Sequence, residues 1–106
     1  MRFVYRKIRH PASGFAIVGI AAGLRVQDGV VARMSIGVTG AAGHAFPGEA
    51  AVAFLTGKAP SPENIGEASR LLSESAECLS DRYASAEYRA NLIRTETRRA
   101  LLALSS

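Results

Sequence analysis

The sequence predicts an α+β fold, an antiparallel sheet of three to four strands followed by three helices packed on one face. Three observations carry this expectation. The β-rich runs are confined to residues 3–39, an Asp28-Gly29 dipeptide separates the two longest of them, and beyond Pro47 the apolar spacing changes to the helical period with capping residues in place. Strands first and helices afterwards, with no β-α-β alternation, exclude a parallel doubly wound sheet.

Taken in order, Phe3, Tyr5 and Ile8 alternate imperfectly with basic residues, which predicts a short edge strand over about 3–9 that Pro11-Ala12-Ser13-Gly14 ends. The next run, Phe15 to Arg25, is apolar at nearly every position, as expected of a strand covered on both faces. Asp28 and Gly29 both accept positive φ and give the strongest short-range signal for a tight hairpin. The returning run sets Val31, Arg33, Ser35 and Gly37 on one face and Val30, Ala32, Met34, Ile36 and Val38 on the other. Pro47-Gly48-Glu49 then opens a helix over about 47–56, which Gly57 ends. Ser61 as N-cap and Pro62 as first helical residue start a second helix over about 62–79, with an apolar stripe from Ile65 through Leu72 to Leu79. Ser85 caps a third over about 85–104. Its apolar residues form two stripes, Ile93, Thr97, Ala100, Leu101 and Leu104 on one side and Tyr88, Leu92, Thr95 and Leu102 on another, so it is expected to touch two things.

A length of 106 residues predicts one domain, 1–106, around one core. With 48% hydrophobic and 21% charged residues, the composition is that of a folded domain and not of a disordered segment. The longest uncharged apolar stretch, Phe15 to Leu24, is far short of the roughly 20 residues that cross a bilayer. The basic start resembles a signal-peptide n-region, but the apolar run behind it leads into the hairpin, and a cytoplasmic protein is expected. A single cysteine, Cys78, agrees with a reducing compartment and reads as a small core residue. The net charge is +4, with Arg2, Arg6, Lys7, Arg9 and Arg25 all preceding the first acidic residue. A second basic cluster, Arg82, Arg89, Arg94, Arg98 and Arg99, is interleaved with Asp81, Glu87 and Glu96 and reads as a solvated helix face with local ion pairs.

Catalytic constellations are not legible. Gly37, Gly40 and Gly43 have the wrong spacing for a dinucleotide loop and no following parallel strand. His10, His44 and Cys78 lack the local pairing of a metal site, and Ser13 and Ser35 have no recognisable base. The run Phe3 to Arg9 combines aromatic and basic residues suited to nucleic acid. An edge strand guarded by charges explains the same residues, and no basic stripe continues it, so no nucleic-acid partner is expected.

Three sets of residues nevertheless resemble one known module: Tyr5 through Val18, the hairpin with Ile36-Gly37-Val38, and Ser85-Ala86-Glu87-Tyr88-Arg89 followed by Arg98-Arg99-Ala100-Leu101. The chain is similar to the C-terminal domain of the FAD-binding medium subunit of molybdenum hydroxylases, the carbon monoxide dehydrogenase and xanthine dehydrogenase family. The resemblance implies a non-catalytic domain of an FAD and molybdenum oxidoreductase, supporting the flavin domains and subunit assembly in electron transfer from iron-sulfur centres to FAD. It implies no cofactor in this chain alone and FAD in the parent subunit. Phe15, Ala16 and Ile17, with the basic lead-in, would lie near flavin in an intact subunit. Ser85, Glu87, Tyr88, Arg89 and Arg99 form the structural motif, with Tyr88 inserting its ring against the sheet or second helix. The implied partners are the FAD-binding domains of the same subunit and the iron-sulfur and molybdenum subunits, with self-association of an isolated module through the second helix stripe or the outer strand face. No nucleic acid and no membrane are expected. A stand-alone binding or self-associating module of the same fold is the alternative.

Overall fold

The computed structural model describes residues 1–9, 16–40, 45–76, 78 and 85–105. Four strands, β1 (Arg2–Arg9), β2 (Ala16–Gln27), β3 (Val30–Thr39) and β4 (Phe46–Pro47), form a meander in which each pairs antiparallel with the next. Helices α1 (Glu49–Leu55), α2 (Pro62–Ser75) and α3 (Ala86–Ser105) follow. Helix α3 packs on β1 and β2, α1 packs on β3, and α2 packs against α1 and α3. This is the expected α+β architecture.

The hairpin forms at Asp28 and Gly29, whose φ angles of 54° and 78° are those of a type I′ turn, the turn whose twist matches its strands. The alternation expected of β3 fails at its start. The register shifts between Arg25 and Val26, setting Val26 opposite Val31. Val31 therefore turns inward with Met34, Ile36 and Val38, while Val30 is exposed, because a bulge reverses the facing of the residues on one side of it. The Val31 amide donates to the Lys58 carbonyl and the Gly57 amide donates to the Val31 carbonyl, both at 2.8 Å, which ties the α1–α2 connection to the sheet.

Pro47 closes a two-residue strand against Gly37 and does not open a helix; lacking an N–H, it suits an edge. The chain then passes β3 so closely that a Cβ on Gly48 would lie 2.7 Å from Ile36 Cγ2. Ser61 caps α2 as expected, its Oγ accepting from the Asn64 amide at 3.2 Å. Helix α2 stops at Ser75, short of the expected 79. The Ser75 hydroxyl donates to the Leu72 carbonyl and Ala76 is extended, the usual effect of serine competing for the backbone at a helix end. Leu79 lies outside the described residues.

The core joins Val18, Ile20, Ala22 and Leu24 of β2 to Leu55 of α1, Ile65 and Leu72 of α2, and Ile93, Ala100 and Leu101 of α3. Of the second α3 stripe, Leu92 and Leu102 are half-buried and pack against this same core, while Tyr88 is exposed. Thr97 is fully buried and its Oγ1 has no hydrogen-bond partner. An unmatched buried hydroxyl costs about 1–3 kcal/mol, so Thr97→Val is expected to raise the midpoint of urea unfolding, by about 1 kcal/mol in stability.

Candidate functional surface

Strand β1 reverses the usual facing of its residue types. Arg2 and Arg6 lie opposite Leu24 and Ile20 on the helix side, and Phe3 and Tyr5 lie opposite Gly23 and Ala21 on the outward side. Arg2 Nη1 donates to the Leu104 carbonyl at 3.2 Å. Arg6 Nε donates to Glu96 Oε2 at 2.5 Å, and Arg99 Nη1 donates to Glu96 Oε1 at 3.1 Å. Glu96 is only 2% exposed, a correction to its reading as part of a solvated face. It stands three residues after Ile93 and four before Ala100, on the buried side of the helix. Arg89 is buried too, whereas Arg94 and Arg98 are exposed.

With its arginines turned in, β1 presents Phe3 at 72% and Tyr5 at 54% exposure. Beneath these rings the outward residues of β2 are Gly19, Ala21 and Gly23. A Cβ on Gly23 would lie 2.7 Å from the Phe3 ring, and one on Gly19 would lie 2.7 Å from the Tyr5 hydroxyl. The two aromatic rings therefore lie over glycines. Strand β2 is not covered on both faces as expected, since Ala21 is exposed; its outward residues are apolar because they are small. Ala21 and Gly37 floor an outward trough of about 770 Å³, walled by Phe3 and Tyr5 on one side and by Pro47 of β4 on the other, while Phe46, paired with the buried Val38, packs against the core.

At the hairpin end of the same face Arg25 stands directly opposite Arg33. Arg25 Nη2 donates to Gln27 Oε1 at 3.2 Å. Neither arginine has an acidic partner among the described residues. Two like charges facing each other across a ladder destabilise it. Lys7 Nζ lies 5.9 Å from the Tyr5 ring centre and adds a third cation to this face.

The residues singled out in the sequence do not gather in one place. Phe15, His10, His44, Gly43 and Asp81 lie outside the described residues. Ala16 and Ile17 open β2, Ala16 opposite Arg9, at the end of the strand away from the hairpin. Ser85 accepts the Tyr88 amide at 3.0 Å as the cap of α3. Tyr88 itself is 47% exposed and does not insert its ring, because the first turn points it away from the stripe that Arg89 and Ile93 share. Glu87 is exposed in the same turn. Cys78 is half-buried; burial pushes its thiol above the ordinary range against the opposing Arg89 cation, so it stays protonated at neutral pH and is a poor nucleophile. Among the described residues no three of His, Cys, Asp and Glu come together as for a metal, and no helix is long and apolar enough to cross a membrane.

Residues 3–104 match the family model of the CO dehydrogenase flavoprotein C-terminal domain, and the chain belongs to that family, the C-terminal domain of the FAD-binding subunit in molybdenum hydroxylases. Quinoline 2-oxidoreductase from Pseudomonas putida 86 superposes with a TM-score of 0.88 at 26% identity, over 97% of this chain and 36% of that one. Carbon monoxide dehydrogenase from Hydrogenophaga pseudoflava, in a form lacking the Mo-pyranopterin moiety of its molybdenum cofactor, gives 0.88 at 29% identity, over 96% of this chain and 36% of that one. Reconstituted CO dehydrogenase from Oligotropha carboxidovorans gives 0.87 at 26% identity, over 97% and 36%. The chain thus spans about a third of the length of the solved chains it matches. The search of curated protein sequences found no match.

Proposed function

We propose that this chain is a non-catalytic supporting domain of a molybdenum hydroxylase-type oxidoreductase in the cytoplasm. It braces the FAD-binding domains of its subunit, and through them the assembly with iron-sulfur and molybdenum subunits, while electrons pass from the iron-sulfur centres to FAD. The observation that carries this reading is the family match over residues 3–104, joined to the 36% share of the solved chains that the domain accounts for. In such a subunit Phe15, Ala16 and Ile17 would approach the flavin.

The described residues do not fit the pyrophosphate of FAD. A dinucleotide is held by the N-terminus of a helix that follows a glycine-rich turn in a β-α-β unit, where free N–H groups and the helix dipole favour negative charge. Here the sheet is antiparallel, and each helix carries a carboxylate in its first turn, Glu49, Glu63 and Glu87, which repels an anion. FAD titrated against the 106-residue chain is therefore expected to show no saturable change in flavin fluorescence. Saturable binding at micromolar FAD overturns the reading, since the domain would then carry a cofactor site of its own.

A further inference from the structure

We propose that the outward face of the sheet seats an acidic amphipathic helix from the part of the flavoprotein subunit beyond this domain, its apolar side in the trough and a carboxylate on Arg25 and Arg33. The shape of the face argues for a helix. Its walls, β1 and β4, are three strand spacings apart, roughly 14 Å, and a helix with its side chains is about 10–12 Å across. Small residues on the floor, Ala21 and the uncovered Gly37, let a cylinder settle between Phe3 and Pro47. The charge argues for an acidic occupant. Lys7, Arg25 and Arg33 face outward and no carboxylate does among the described residues of β1, β2 and β3. The opposed arginines form a bidentate receptor for a carboxylate, which would remove their mutual repulsion. The same charges disfavour a second copy of this chain, since two such faces would bring cations against cations. The proposal rests on the flavoprotein-subunit reading only for the origin of the helix, because the solved relatives carry 64% of their chain beyond the matched 36%.

The probe is a synthetic peptide of about 20 residues, long enough to hold a helix, with leucine and alanine along one side and glutamate clustered at one end. Titrated into the isotopically labelled chain, it is expected to shift the amide resonances of Tyr5, Ala21, Ser35 and Gly37 and to leave those of α2 in place. Arg25→Glu with Arg33→Glu should weaken binding at least roughly tenfold, and a peptide with lysine for glutamate should bind that variant better than it binds the parent chain. Both positions are exposed, and circular dichroism checks that the variant folds; if it does not, the lysine and glutamate peptides compared on the parent chain decide. Equal binding of the two peptides, shifts on the helix side, no shifts at millimolar peptide, or a dimer formed through β1–β3 in sedimentation each overturn the proposal. None of these results bears on FAD binding, so the flavoprotein reading stands or falls by its own titration.

Discussion

Ile93→Ala is expected to lower the melting temperature by roughly 12–24 °C, while Tyr88→Ala, little more than a turn away on α3, should lower it by no more than a few degrees. Ile93 is completely buried and packs in the cluster that holds β2, α2 and α3 together. Removing three buried carbons forfeits their transfer energy and leaves a cavity that the surrounding strands close only in part. The usual cost is about 2–5 kcal/mol, and about 3 kcal/mol corresponds to the stated shift for a domain of this size. Tyr88 is 47% exposed, and its backbone amide, not its ring, makes the cap contact with Ser85. Its truncation leaves that hydrogen bond intact. Differential scanning calorimetry on the two variants checks both halves; similar losses would mean that the first turn of α3 packs more tightly than its exposure indicates.

The contrast between these residues marks what the sequence made legible. Signals confined to a few neighbouring residues were sound. Asp28-Gly29 makes the turn, Ser61-Pro62 and Ser85 make the caps, and the spacing of Ile93, Thr97, Ala100, Leu101 and Leu104 defines the buried side of α3. The facing of β1 was not legible, because it depends on Glu96, 90 residues further along the chain. The bulge at Arg25 and Val26 has no local marker either, and it reverses the expected facing of Val30 and Val31.

The candidate surface was hidden for a related reason. The outward residues of β2 beneath and between its rings are small, and in a sequence Gly19, Ala21 and Gly23 look like part of an apolar strand covered on both sides. Only the register, which sets Phe3 over Gly23 and Arg33 against Arg25, shows that small residues, exposed rings and paired cations share one face. The Ser-Ala-Glu-Tyr-Arg motif, by contrast, led to the family while saying little about the surface, since Ser85 and Arg89 serve α3 itself.

Replacing Arg6 and Arg99 together by alanine is expected to destabilise the domain by about 3–5 kcal/mol, and adding Glu96→Gln to that double variant should restore a large part of the loss. The side chain of Glu96 is 3% exposed, whereas those of Arg6 and Arg99 are 37% and 59% exposed. Either arginine can thus be hydrated if the carboxylate is removed, but the carboxylate cannot be hydrated if the arginines are removed. The cost of breaking this cluster therefore falls on the acid, as an ionised group left in the interior without donors. A glutamine of the same shape carries no net charge and lacks that penalty, keeping only the smaller cost of an unmatched amide, about 1–3 kcal/mol. The exposed Glu67–Arg70–Glu74 cluster on α2, with Arg70 Nη1 2.5 Å from Glu74 Oε2, is the control. Arg70→Ala should leave stability nearly unchanged, because water replaces an exposed ion pair at little cost. Urea unfolding of the parent, the double, the triple and the control variants tests the argument. A double variant as stable as the parent would show that water reaches Glu96. A triple variant no more stable than the double would place the loss in the packing of the arginine stems between β1 and α3, not in the stranded charge.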